Sequence, residues 1–197
     1  MNDTIFRAIA VITFVIGMSI SIYFRRKADR ESGEKVSLKE EGLAVTFGLR
    51  VFGFSIWICV FAFMLNPAWI AWGRLDLPEW ARWIGVAMGV LGVLLAYWVF
   101  TSLGNNVSPT VATRSQATLV TSGPYRWVRH PLYLMGLISY FGFALLAENW
   151  FIALLSLLIF AIIVYRTSKE ENKLVEKFGA AYIEYQRHTG RFLPKLG

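Results

Sequence analysis

The sequence predicts an all-α integral membrane protein with about five transmembrane helices, and three features of it carry that prediction. Hydrophobic residues make up 56% of the 197 residues and charged residues only 17%. Apolar runs near or above about 18 residues, enough for a helix to cross a bilayer, recur along the chain. Short segments dense in Arg, Lys, Pro and aromatic residues separate these runs, as expected at helix ends and membrane interfaces.

The elements follow in order. Thr4 to Phe24 is a first span, flanked by Arg25, Arg26 and Lys27. The flank fits a retained helix better than a cleaved signal peptide. Residues 25–41 are charged and polar and read as a loop, in part helical. Gly42 to Leu65 is a second span, with Arg50 placed to snorkel toward the interface, and Asn66 and Pro67 end it. Residues 68–79 are rich in Trp, as in an interfacial belt. Trp80 to Thr101 is a third span. Its Gly85 and Gly89 have the small-xxx-small spacing of close helix packing, and no G-x-G-x-x-G follows a strand as a dinucleotide fold would require. Pro131 to Ala147 and Trp150 to Tyr165 are short fourth and fifth spans, joined by a tight turn at Glu148 and Asn149 as a helical hairpin. Beyond Arg166 the tail is charged. Leu174, Phe178, Tyr182 and Tyr185 share one helical face there, and Ser168 with Glu171 has capping-box spacing. The chain thus divides into three N-terminal spans, 1–101, and a second region, 102–197.

Charge sets the topology. Segment 25–41 carries six Lys and Arg residues, 102–130 carries three, and the chain from Arg166 onward carries seven. The opposite side carries Arg7, Arg74 and Arg82. Positive residues stay inside, so the N-terminus is expected outside and the C-terminus in the cytoplasm. A net charge of +7 is read here as this topology signal and a contact with anionic lipid, not as a nucleic-acid footprint. The single Cys59 excludes an internal disulfide, and two histidines with no nearby cysteine argue against a metal site.

Two constellations carry chemistry. "SGPYRWVRHPLY", Ser122 to Tyr133, packs two arginines, a histidine, two prolines and three aromatic rings in front of an apolar run. Arg166 and Glu170 lie four apart, so on a continuous helix they share a face and together suit a zwitterion. A solvated helix exit is the plain alternative for the second constellation, and a structural hydrogen bond the plain alternative for His130.

"TLVTSGPYRWVRHPLY", "EENKLVEKFGAAYIEY" and "GRFLP" together resemble the isoprenylcysteine carboxyl methyltransferase family and its relatives, which include phospholipid N-methyltransferases. The likeness covers roughly the last ninety residues. It implies a membrane methyltransferase using S-adenosyl-L-methionine, with no Rossmann domain and a cofactor pocket formed by the C-terminal region at the cytoplasmic face. It places cofactor contacts at Ala117, Thr118, Leu119, Val120, Tyr125, His130, Pro131, Leu132, Tyr133 and Glu170. It assigns Arg166 to the substrate carboxylate and makes Glu170 and His130 the other catalytic candidates. Ala117 departs from family members that carry a histidine, which leaves a backbone contact there. The expected acceptor is lipophilic and enters from the bilayer, most simply as an isoprenylcysteine-like carboxylate. Phospholipid or small-amine N-methylation is the alternative within the resemblance. A non-enzymatic scaffold or transporter is the alternative outside it, and no internal repeat or mid-span charge supports a transporter.

Overall fold

The computed structural model describes residues 3–32, 43–107 and 117–195. Six α-helices form among them: α1, Asp3–Ser32; α2, Leu43–Leu65; α3, Glu79–Leu103; α4, Pro131–Leu146; α5, Trp150–Phe178; and α6, Ala180–His188. No strand forms among the described residues, and the isolated bridges include Val128 with Gly190. Four helices, α1, α2, α3 and α5, are long and apolar enough to cross a membrane, and α4 is a shorter apolar helix of 16 residues. At about 1.5 Å per residue α4 rises only roughly 24 Å, against about 30 Å of hydrocarbon. The protein is integral to the membrane, and its outer faces fit that solvent. Val11, Ile12, Phe47, Phe54, Ile58, Leu94 and Leu157 are all exposed.

Two boundaries differ from the sequence expectation. The charged residues after Phe24 do not form a loop at once, because α1 continues to Ser32 and carries Arg25 on a rigid helix. The fifth span is not short: α5 runs unbroken for 29 residues to Phe178. Ser168 and Glu171 therefore lie inside a helix and cap nothing. Gly179, at φ +57°, ends α5, and its left-handed backbone suits a residue without Cβ. The apolar face predicted as one helix is thus divided, with Leu174 and Phe178 on α5 and Tyr182 and Tyr185 on α6.

The two ends of the bundle have different chemistry. At one end Arg7 donates to the Met64 and Leu65 carbonyls that close α2. Arg82, wholly buried, pairs with Asp3 at 2.9 Å and lies 3.8 Å from the Phe6 ring centroid. Glu148 in the hairpin turn meets Arg74 at 2.8 Å and Arg82 at 3.6 Å. Asn149 caps α5 by accepting from the Phe151 and Ile152 amides. Trp69, Trp72, Trp80, Trp83 and Trp150 surround this end as an aromatic belt. The opposite end gathers Arg25, residues 117–130, the α5 C-terminus and α6.

α3 packs most extensively on α4. Small residues allow the approach, but in a different register from the one the spacing predicts. A Cβ at Gly85 would lie 2.5 Å from both the Gly142 carbonyl oxygen and the Leu146 amide nitrogen. Gly92 has the same role against Ser139, while a Cβ at Gly89 would meet nothing within 4 Å. The contact face is Gly85 and Gly92, seven residues apart. Gly85→Ala is expected to lower stability by about 1–3 kcal/mol, because backbone atoms cannot swing aside. Gly89→Ala is expected to be near neutral. Melting of the two variants in detergent checks the contrast.

Candidate functional site

The site is assembled from chain segments that are remote in sequence. Residues 117–120 run extended past the end of α3, where Asn106 holds them. The Thr118 amide donates to Asn106 Oδ1 at 2.9 Å, and Asn106 Nδ2 donates to the Leu103 carbonyl and Thr118 Oγ1 at 3.1 and 3.3 Å. A 3-10 turn, Gly123–Arg126, follows and buries Pro124 and Tyr125. His130 then caps α4, with Pro131 at its first position, where the missing N–H costs nothing.

A clamp fixes this segment to the tail. The amides of Arg129 and His130 donate to the carbonyls of Gly190 and Arg191 at 2.8 and 3.1 Å. Glu171 lies beneath them, 4% exposed. Its Oε1 accepts from Arg129 Nε at 2.8 Å and lies 3.2 Å from His130 Nε2. Its Oε2 accepts from Arg191 Nε at 3.1 Å and also from Nη2 of the same residue. Arg129 Nη1 donates on to the Thr189 carbonyl. Arg129 is thus internal to the fold, while Arg126 lies over the Trp127 ring at 4.7 Å.

Beside the clamp opens a cleft of about 150 Å³. Ala117, Thr118, Leu119, Val120, Tyr125, His130, Leu132, Tyr133 and Glu170 line it. Glu170 Oε2 accepts from the Tyr133 hydroxyl at 2.8 Å, and Glu170 Oε1 stands 4.0 Å from His130 Nδ1. The His130 and Tyr133 rings stack at 5.6 Å, 11° from parallel. The Tyr185 hydroxyl donates to the Tyr125 carbonyl at 2.5 Å. Burial pushes Tyr185 up to about 12 and raises Tyr125 and Tyr182 further, so all three phenols remain neutral donors near pH 7. The Tyr182 hydroxyl, at the cleft wall, is buried with no hydrogen-bond partner among the described residues.

A second cavity, of about 450 Å³ and mainly apolar, lies between the helices. α1 contributes Ala10, Phe14 and Met18, α2 contributes Trp57 and Val60, and α3 and α4 contribute glycines and aromatic rings. Leu132 and Tyr133 belong to the walls of both cavities.

Nine of the eleven residues singled out from the sequence therefore meet at one cleft. Pro131 is buried behind it as a helix starter. Arg166 is buried with its guanidinium carbon 6.0 Å from the centroid of the Tyr133 ring, and lines neither of the two cavities. Sequence reasoning missed Leu103, the last residue of α3, and Asn106, which no local pattern distinguishes from other polar loop residues. Leu174, Phe178, Tyr182 and Tyr185 also line the cleft. Their shared helical face was the legible signal, though it gave no means of telling packing from ligand contact. Asn106→Ala is expected to release 117–120 from the end of α3 and to lower stability by about 1 kcal/mol, roughly one net hydrogen bond, as read by thermal melting in detergent.

The family model for phospholipid methyltransferases matches residues 80–181, more than half of the chain. The chain belongs to the phospholipid methyltransferase family. The matched span runs from α3 into α6 and so covers most of the cleft. Among relatives of this family member, a cobalt-zinc-cadmium resistance protein of Cupriavidus metallidurans is 30% identical over 143 residues, 72% of this chain and 63% of its own length. Human protein-S-isoprenylcysteine O-methyltransferase is 30% identical over 128 residues, 64% of this chain and 45% of its own length. The chain thus spans less than two thirds of these relatives. The solved structure of a eukaryotic intramembrane Ras methyltransferase, isoprenylcysteine carboxyl methyltransferase, superposes with a TM-score of 0.55 at 22% identity, covering 94% of this chain and 67% of the other. This likeness shows the fold. Among the described residues no group of three or more His, Cys, Asp or Glu is arranged to hold a metal ion.

Proposed function

We propose that this family member is an S-adenosylmethionine-dependent methyltransferase acting on a lipophilic acceptor held within the bilayer, with an isoprenylcysteine-like carboxylate as the acceptor. One observation carries the reading: a polar, aromatic cleft and an apolar cavity meet at Leu132 and Tyr133. A reaction between a water-soluble donor and a greasy acceptor needs two compartments that touch at one point. The names of the relatives support the same class.

The residues present suit the cofactor. The buried Tyr182 hydroxyl awaits a polar partner, Glu170 offers a carboxylate, and Phe178, Tyr125 and Tyr185 offer flat walls. Ala117 to Val120, Tyr125, His130, Leu132, Tyr133 and Glu170 would hold it, with Pro131 stiffening the start of α4. When bound, S-adenosylmethionine supplies a methyl group already activated on a sulfonium sulfur. The chain's part is then to orient and to exclude water. Tyr133 fixes Glu170 and separates the compartments. Arg166, buried against Tyr133, would draw a carboxylate toward that ring. A carboxylate needs no general base. An amine acceptor, which the family's name favours as the second reading, would lose its proton to Glu170 or His130.

The orientation with the cleft in the cytoplasm and the N-terminus outside is part of the proposal. It is supported by Arg7, Arg74 and Arg82 gathering at one end and most other Lys and Arg at the cleft end. The test is methyl transfer from radiolabelled S-adenosylmethionine in nanodiscs, offering farnesylcysteine analogues and amino-lipids separately. Label in a base-labile ester supports the carboxylate reading. Label in the amino-lipid alone moves the reading to N-methylation, and no transfer to either by protein that does not bind S-adenosylhomocysteine overturns it.

A further inference from the structure

Among the described residues the apolar cavity has one charged residue in its wall, and it is Arg25. The sequence presents Arg25 as the first of three basic residues flanking a span, an ordinary stop-transfer signal. The fold assigns it a different position. Because α1 continues to Ser32, Arg25 is held on a rigid helix immediately after the apolar stretch that ends at Phe24. It is half-buried, its Nε donates to Ser21 Oγ at 3.2 Å, and its guanidinium carbon stands 5.9 Å from the centroid of the Phe100 ring. Ser21, Phe100 and Tyr133 share the same cavity wall. Arg26, Lys27 and Arg30 are exposed and line a separate surface depression.

Two other polar side chains of the cavity, Thr13 and Ser139, serve their own helices. The Thr13 hydroxyl donates to the Ile9 and Ala10 carbonyls, and the Ser139 hydroxyl to the Met135 carbonyl. Among the described residues no acidic residue lines the cavity. Asp29, one turn further along α1, attracts the Arg25 guanidinium from outside the cavity. Inside the chamber the guanidinium meets apolar walls, where an anion would offset the cost of its burial. Its planar fork of five donors is suited to a carboxylate or phosphate.

We infer that Arg25 is the specificity-determining residue of the acceptor cavity, and that it selects long-chain methyl acceptors with a carboxylate head over the lipids of the bilayer. The tail lies among α1, α3 and α4, and the head rests beside Tyr133 at the border with the cleft. Arg25 thus acts from the opposite cavity to the cleft-side Glu170 and makes no part of the donor site. The inference rests on the methyltransferase reading for its purpose, but its test does not require turnover.

The full chain is reconstituted in phosphatidylcholine nanodiscs with a diazirine-bearing palmitate or the alcohol of equal length, photolysed, and its adducts are mapped by mass spectrometry. The acid is expected to label the α1, α3 and α4 peptides about tenfold more than the alcohol, the worth of one charge-assisted contact. Arg25→Gln is expected to bring that ratio close to one, and Arg25→Lys to retain most of it. Both variants are expected to bind S-adenosylhomocysteine as the wild type does, which shows that they are folded. Displacement of the label by a farnesyl thioether carboxylate supports an acceptor site. Displacement by phosphatidic acid alone means that Arg25 holds a bilayer lipid, and overturns the inference. Equal labelling by acid and alcohol, or a ratio unchanged in Arg25→Gln, also overturns it. If S-adenosylhomocysteine fails to bind any form while the acid preference persists, the methyltransferase reading fails and the anion selectivity of Arg25 stands.

Discussion

Replacing Glu170 by alanine is expected to weaken binding of S-adenosylhomocysteine at least about thirtyfold, the loss of one charge-assisted hydrogen bond worth about 2 kcal/mol. The melting temperature in detergent is expected to change little. Glu170 is partly exposed on the cleft side of α5, where its carboxylate accepts from Tyr133 and faces His130. Those partners line the open cleft, so water can replace the carboxylate when it is removed. Tyr133→Phe would lose the hydroxyl alone and is expected to cost a smaller factor. Calorimetric titration of the three proteins decides it. Unchanged affinity in Glu170→Ala would remove Glu170 from the cofactor site.

The neighbouring substitution is expected to do the reverse. Glu171→Ala should destabilise the fold by about 3 kcal/mol, since it leaves the buried Arg129 and the half-exposed Arg191 without their shared counter-charge. Arg129, Arg191 and His130 all converge on this one carboxylate, which joins α5, the start of α4 and the tail. Glu171→Gln keeps the shape but loses the charge, and should fall between wild type and Glu171→Ala. Thermal unfolding monitored by circular dichroism checks the order. A Glu171→Ala protein that melts with the wild type would show that the clamp contributes nothing net. Two adjacent glutamates thus separate cleanly, one by affinity and one by stability.

Much of the fold was legible in the residues because helix formation in lipid is governed by local pattern. Runs of apolar residues and the prolines at 67, 78 and 131 located the starts of α1 to α5 within a residue or so. The failures were also local in cause. Charge after Phe24 and after Tyr165 was read as the end of a helix, whereas Arg, Lys and Glu are good helix formers and continue one into water. Gly179 was the true end, and its signal was the lack of a side chain. The glycine register was misassigned because spacing alone does not state which face meets the partner. A Cβ at Gly85 or Gly92 would collide with α4, whereas one at Gly89 would meet nothing within 4 Å.

What the sequence determined by itself was the solvent, the helices, the charge asymmetry between the two ends and the chemical inventory of the cleft. Each depends on neighbours within about two helical turns, or on residue types concentrated in one short stretch. Only the tertiary structure decided that Glu171 is a structural hub while Glu170 faces the cleft, that Asn106 holds Thr118, and that Arg166 sits behind Tyr133. It alone brought Arg25 of the first helix to the wall shared with Tyr133 of the fourth. Those relations join residues from twelve to more than a hundred positions apart. They follow from how glycine-lined helices cross and from the cavities their packing encloses, and periodicity along a single helix does not encode either.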